Sequence, residues 1–209
     1  MNKIVLDNNI PLILKENKNT PRHALCFYFK ISEPEKKAGI YTILNWLFLQ
    51  GTKNRSAEKL AQELDENAID CYSEMKQDFI RFKLQCLNED FEKGLEILAD
   101  IIKNSTLDDF EKEVIKLKGE IQAELDEPKT RALDGFYSTI YKNHSYGHTY
   151  TQILKDIDCI TKQDIENAYH SLIGKSSKVI SIVGDFDIDF VVDLLKNIFL
   201  ISRMLLIAK

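Results

Sequence analysis

Residues 33–52 read EPEKKAGIYTILNWLFLQGT, and the fold turns on this stretch. Residues 37–50 carry apolar side chains on nearly every face of a helix, which predicts a helix covered on most sides. Gly39 stands near its start and Gly51-Thr52 closes it. Thr42, Asn45 and Trp46 share one face of this helix, a turn apart at i, i+3 and i+4. They offer a hydroxyl, an amide and an indole. A neutral amide cannot act as general base, and an indole donates no lone pair to a metal. Read by itself, Trp46 is a core side chain of a buried helix.

Working outward, residues 2–7 and 10–16 predict two strands joined at Asp7-Asn8-Asn9, since Asn and Asp tolerate the positive φ of tight turns. Residues 22–31 predict a third strand. Ser56 caps a helix over 57–66. Strands follow at 68–75 and 78–87; in the second, Ile80, Phe82, Leu84 and Cys86 alternate with Phe79, Arg81, Lys83 and Gln85. Asn88 is read as the cap of a helix over 89–103. Thr106, with Asp109 three residues on, opens a long helix that Pro128 breaks. Further helices are expected at 130–142, at 162–173 behind Thr161 and Asp164, and at 187–200, with a last strand at 177–184. Antiparallel strand pairs beside a block of helices predict an α+β fold, an antiparallel sheet packed by helices.

The chain has 209 residues, 44% of them hydrophobic and 29% charged, enough for a core that needs neither disulfide nor metal. A net charge of −5 argues against nucleic acid as the main partner, because phosphate demands a basic surface. Cys26, Cys71, Cys86 and Cys159 show no CxxC spacing and read as reduced thiols of a cytoplasmic protein. Asp7, Asn8, Asn9 and Pro11 interrupt the apolar run a signal peptide would need. The end, IFLISRMLLIAK, is apolar but short for a bilayer and is broken by Arg203, so no membrane role is expected.

Several motifs together resemble the N-terminal half of the pitrilysin/insulinase family of zinc metallopeptidases, which includes the mitochondrial processing peptidases. Glu33-Pro34 before Gly39 is similar to the family's entry into its zinc helix, and Gly51-Thr52-Lys53-Asn54-Arg55-Ser56 to its exit. EIQAELDEP at 120–128 resembles the segment that carries the third zinc ligand. Asn143-His144-Ser145-Tyr146-Gly147 resembles a His-Pro-x-Gly loop, with Ser145 in place of Pro, and Val183-Gly184-Asp185 a strand end that closes the half. The resemblance spans roughly residues 1–200 and implies the metallohydrolase fold of LuxS and the mitochondrial processing peptidases. The tail at 201–209 would then be a linker toward a second half.

By the same resemblance, the positions of the H-x-x-E-H motif are held by Thr42, Asn45 and Trp46. Glu120 is left as a vestigial third ligand, with Glu113 one heptad before it. Glu113, Glu120 and Glu124 cluster beside the apolar stripe Phe110, Val114, Leu117, Ile121 and Leu125, and Glu124 reads as a solvated flank. Residues 69–74 align with an edge strand that binds extended substrate in relatives; Asp70 and Ser73 take its Asn and Thr positions, although the segment reads equally well as a plain core strand. His144 and His148 share a loop that reads as structural, and His23 and His170 are assigned no role.

These features imply a catalytically inactive homologue without the zinc of active relatives. Its expected partners are peptide substrate and either an active insulinase-family subunit or a C-terminal half. Two alternatives stand beside it: a metallopeptidase with a non-standard site around Glu120 and His144, and a free-standing peptide-binding module using strand 69–74.

Overall fold

The computed structural model describes residues 1–6 and 9–200; Asp7-Asn8 of the expected first turn and the tail at 201–209 lie outside the described residues. The strands are β1 (Asn2–Val5), β2 (Pro11–Glu16), β3 (Arg22–Lys30), β4 (Asp70–Lys76), β5 (Phe79–Leu87) and β6 (Lys178–Gly184). The helices are α1 (Ile40–Leu47), α2 (Ala57–Glu66), α3 (Phe91–Asn104), α4 (Phe110–Asp126), α5 (Pro128–Ile140), α6 (Tyr150–Asp156), α7 (Lys162–Lys175) and α8 (Ile188–Leu200). None of them is long and apolar enough to cross a membrane.

The strands form one sheet in the order β1-β2-β6-β3-β5-β4. The expected antiparallel pairing holds at every junction but one: β6 runs parallel to β2. β2 and β3 point in opposite directions, so a strand inserted between them can oppose only one. On β3, Leu25, Phe27 and Phe29 lie opposite Leu84, Phe82 and Ile80 of β5. Leu25 and Phe27 also face Ile182 and Ile180 of β6. All of these are buried under the helices, which makes one continuous core face. The intervening residues point the other way, where Arg81 bonds both Glu74 and Tyr28.

Local chemistry sets most boundaries. Ser56 accepts the Lys59 N–H (3.2 Å) at the start of α2, and Thr161 and Asp164 form a reciprocal capping box on α7. Pro128 sits at the first position of α5, where its missing N–H costs nothing. Three expected helix bounds shift for clear reasons. Leu107 and Asp109 adopt positive φ (52° and 59°), so α4 begins at Phe110 rather than behind Thr106. Asn88 gives its amide to Asp185 (3.3 Å) and enters a single 3-10 turn, and α3 starts only at Phe91. α1 is shorter than the apolar run because Gly39, at φ 104°, cannot belong to a right-handed helix.

Candidate functional site

α1 packs against β4, α4 and α7, with Ile43, Leu44 and Leu47 buried beneath it. Both of its ends are held by carboxylates. The Glu35 carboxylate accepts the Gly39 N–H (3.3 Å) and the Tyr41 N–H (3.1 Å), meeting free amides at the positive end of the helix dipole. Asp156 accepts the Ala38 N–H (2.8 Å), and His148 Nδ1 lies 3.0 Å from Glu35. Burial, aided by Glu33 and Glu35, pushes the Tyr41 phenol up to about 12, so it remains a neutral donor to the Glu33 carbonyl.

Past the other end, Gly51 turns the chain at φ 122°, and Thr52, Asn54 and Arg55 converge on Asp100 at 2.7, 2.6 and 2.6 Å. Burial opposes ionisation of Asp100, but hydrogen bonds from Thr52, Asn104, Arg55 and Asn54 outweigh it and hold the carboxyl below its usual range.

Between these anchors lie Thr42, Asn45 and Trp46, each partly buried. Thr42 Oγ1 donates to Met75 Sδ (3.6 Å). The Asn45 carbonyl accepts the Ser73 hydroxyl (2.9 Å), while its side-chain Oδ1 is buried with no hydrogen-bond partner among the described residues. Trp46 is not the fully buried core residue expected: its ring lies under the Lys116 ammonium, 4.8 Å from the centroid.

Glu113, Glu120 and Glu124 of α4 do not form one cluster. Glu113 is buried, and its Oε2 has no hydrogen-bond partner among the described residues, although Lys116 Nζ stands 3.8 Å away. Glu120 is exposed. Glu124 borders a cavity that Thr42 also lines. Lys116 meets Trp46, and Glu120 follows it one turn further along α4, which packs against α1.

Among the described residues β4 is an edge strand, paired only with β5. Ser73 faces α1 from it, and Asp70, an odd number of residues away and exposed, belongs to the other face. The two proposed substrate positions therefore share the strand's open edge but not a face. At the β4–β5 end of the strand lies the cavity, of about 660 Å³, floored by Tyr41, Thr42 and Met75 and walled by Leu133, Tyr137 and the loop at 144–150. Tyr146 Oη donates to Asp78 (2.5 Å), tying that loop to the hairpin. His144 Nδ1 accepts the Tyr146 N–H (3.1 Å), so one nitrogen of each loop histidine is already engaged. Among the described residues, no group of three His, Cys, Asp or Glu is placed to hold a metal ion. All four cysteines are free thiols, and burial pushes Cys71 up to about 12 and Cys86 to about 11.

The model of the family described as Insulinase (Peptidase family M16) matches residues 14–152. The chain belongs to the insulinase family of peptidases. A zinc protease of Rickettsia felis is 27% identical over 169 residues, 80% of this chain and 41% of the relative. The beta subunit of human mitochondrial-processing peptidase is 27% identical over 168 residues, 78% of this chain and 34% of the subunit. The crystal structure of a peptidase M16 inactive domain from Pseudomonas fluorescens shares the fold, with a TM-score of 0.85 at 17% identity over 98% of this chain and 50% of that one. The chain thus spans half or less of the length of each of these three insulinase relatives.

Zinc in such a fold needs nitrogen, sulfur or carboxylate ligands. The 209 residues contain no H-x-x-E-H. Thr42 with its hydroxyl turned to Met75, the Asn45 amide and the Lys116-capped Trp46 indole do not fit the metal. The sequence reading missed the cavity and the Glu35 cap. Glu35, four residues before Gly39 and just ahead of an apolar helix, was a visible signal for the cap; the cavity had none, because distant segments build it.

Proposed function

We propose that this chain is a non-catalytic insulinase-family member that holds extended peptide along the open edge of β4, beside α1. One observation carries the reading: Thr42, Asn45 and Trp46 stand on the helix face where the family's zinc motif is expected, while the helix, its caps and the edge strand are retained. A peptide added to β4 would gain main-chain hydrogen bonds without any metal, and the cavity past Met75 would take a side chain. Residues 1–200 act in this reading as one peptidase-half domain. Its partner is an active insulinase-family subunit or a second half that supplies the metal and closes the chamber. The human relative, by its name a subunit, and the structure named an inactive domain support this division of labour. The alternative site around Glu120 and His144 lacks geometric support, since Glu120 does not border the cavity that His144 lines.

Fluorescence anisotropy with two labelled peptides of one sequence tests the proposal, one of them N-methylated at alternate residues. The unmodified peptide should bind, and methylation should abolish binding by removing main-chain donors. Equal affinity for both, or one tightly held zinc per purified chain after dialysis, would defeat it.

A further inference from the structure

A second cavity, of about 780 Å³, opens behind the loop at 143–149 and shares Glu35, Asp134, His144 and His148 with the first. Three carboxylates line it, and all three are already occupied. Glu35 accepts two backbone amides of α1's first turn and faces His148. Asp134 accepts the Thr151 N–H (3.2 Å). Asp156 accepts the Ala38 N–H (2.8 Å) and the Gln152 amide (3.0 Å). The cations are not matched in the same way. Lys36, Lys142 and Lys155 line the cavity with no hydrogen bond or ion pair among the described residues. Arg131 has the Leu125 carbonyl (2.9 Å) and only an exposed Asp126 at 3.7 Å. Thr149 Oγ1, in the same wall, is buried without a hydrogen-bond partner among the described residues. Four cations, Lys36, Arg131, Lys142 and Lys155, stand against these three carboxylates, so in a chain of net charge −5 this concave, polar setting carries one more positive than negative charge.

We propose that this second cavity anchors acidic side chains of the peptide whose extended part lies along β4. The inference rests on the peptide-holding reading above and adds a specificity to it. β4 ends at Lys76, Met75 and Lys76 line the first cavity, and His144 and His148 line both cavities. A peptide that follows β4 to Lys76 reaches the first cavity and lies next to the second, which Lys36, Lys142 and Lys155 line. Aspartate and glutamate side chains supply the carboxylates that these lysines lack.

The test uses labelled peptides with a common β-prone segment and three glutamates, or three glutamines, at one end or the other. An exposed ion pair changes affinity by up to about five-fold, so three together should give the glutamate peptide an advantage on the order of tenfold at low salt. The advantage should appear for one end only, shrink at high salt, and vanish in the Lys36→Gln/Lys142→Gln/Lys155→Gln variant, with the glutamine peptide unaffected. All three lysines are exposed, and circular dichroism would verify that the variant is folded. Inorganic phosphate should compete with the glutamate peptide only. Equal binding of glutamate and glutamine peptides would overturn this inference and leave the β4 reading intact. Failure of both peptides to bind would overturn the β4 reading and this inference with it. Phosphate binding without any glutamate preference would overturn the peptide assignment in favour of a free anion.

Discussion

The relation between α1 and α4 can be tested by rebuilding a metal site. Thr42→His, Asn45→Glu and Trp46→His together would place H-x-x-E-H on the α1 face, and Glu120, one turn beyond the Lys116 that meets Trp46 on the packed α4, is the carboxylate tested as third ligand. Removing a fully buried Trp costs about 3–5 kcal/mol; Trp46 is only partly buried, so about 2 kcal/mol is expected. Loss of the half-exposed Lys116 contact adds about 0.5–1 kcal/mol. For a domain of this size about 3 kcal/mol corresponds to a melting temperature lower by roughly 6–12 °C in EDTA. Free zinc at 100 times its Kd would return about 2.7 kcal/mol, nearly the whole loss. Melting curves in EDTA and in buffered zinc, with zinc measured by elemental analysis, supply both readings. Under the proposed reading, in which a partner positions substrate, the variant alone should not cleave peptides. A folded variant whose melting temperature ignores zinc would show that Glu120 does not approach the α1 face, and the correspondence of Thr42, Asn45 and Trp46 with the zinc motif would fall.

Three further outcomes follow from the same geometry. Asp100→Ala leaves Arg55 with Glu63 (3.1 Å) as its remaining carboxylate and strands the Thr52 and Asn54 donors, and should cost about 2–3 kcal/mol in chemical denaturation. Gly39→Ala forces a side chain into φ 104° with its Cβ 2.9 Å from the Ile153 methyl, and should lower stability by about 1–3 kcal/mol. His23 is stacked on Phe91 (4.0 Å) with both ring nitrogens unpartnered among the described residues, and burial, opposed by Asp185, holds its pKa below 6.5. The unfolded chain then takes up the proton first, so stability is full above about 6.5 and declines as the pH falls toward the folded-state value. Denaturant midpoints at pH 7.5 and 5 should differ less in His23→Phe than in the unaltered chain.

Most of the framework was legible because it rests on local rules. The alternation of Ile80, Phe82, Leu84 and Cys86 fixed which face of β5 is buried, and Thr161 with Asp164 marked the start of α7. The start of α4 was not legible, since the left-handed backbone at Leu107 and Asp109 is imposed by packing and carries no glycine to announce it. The parallel β2–β6 pair was hidden for a similar reason: its partners are separated by nearly the whole chain. At the site, the chemistry of Thr42, Asn45 and Trp46 could be read from residue type alone. That Glu113 would be buried and Glu120 exposed depends on how α4 is rotated against α1, which periodicity leaves open within one turn.

The arrangement explains how a peptidase helix can exist without catalytic side chains. What holds α1 in place is distributed over residues that have no part in metal chemistry: the Glu35 and Asp156 caps at one end, the Asp100 network at the other, and Ile43, Leu44 and Leu47 beneath. Thr42, Asn45 and Trp46 occupy the partly covered face, where substitution leaves those anchors untouched. Ser73 reaches the Asn45 backbone carbonyl, so the bond between β4 and α1 does not depend on which side chain position 45 carries. Fold and edge strand are thereby physically separable from the metal site. In the proposed reading this separation lets the strand edge serve peptide without the metal site, and it is also why rebuilding the histidines should be tolerated.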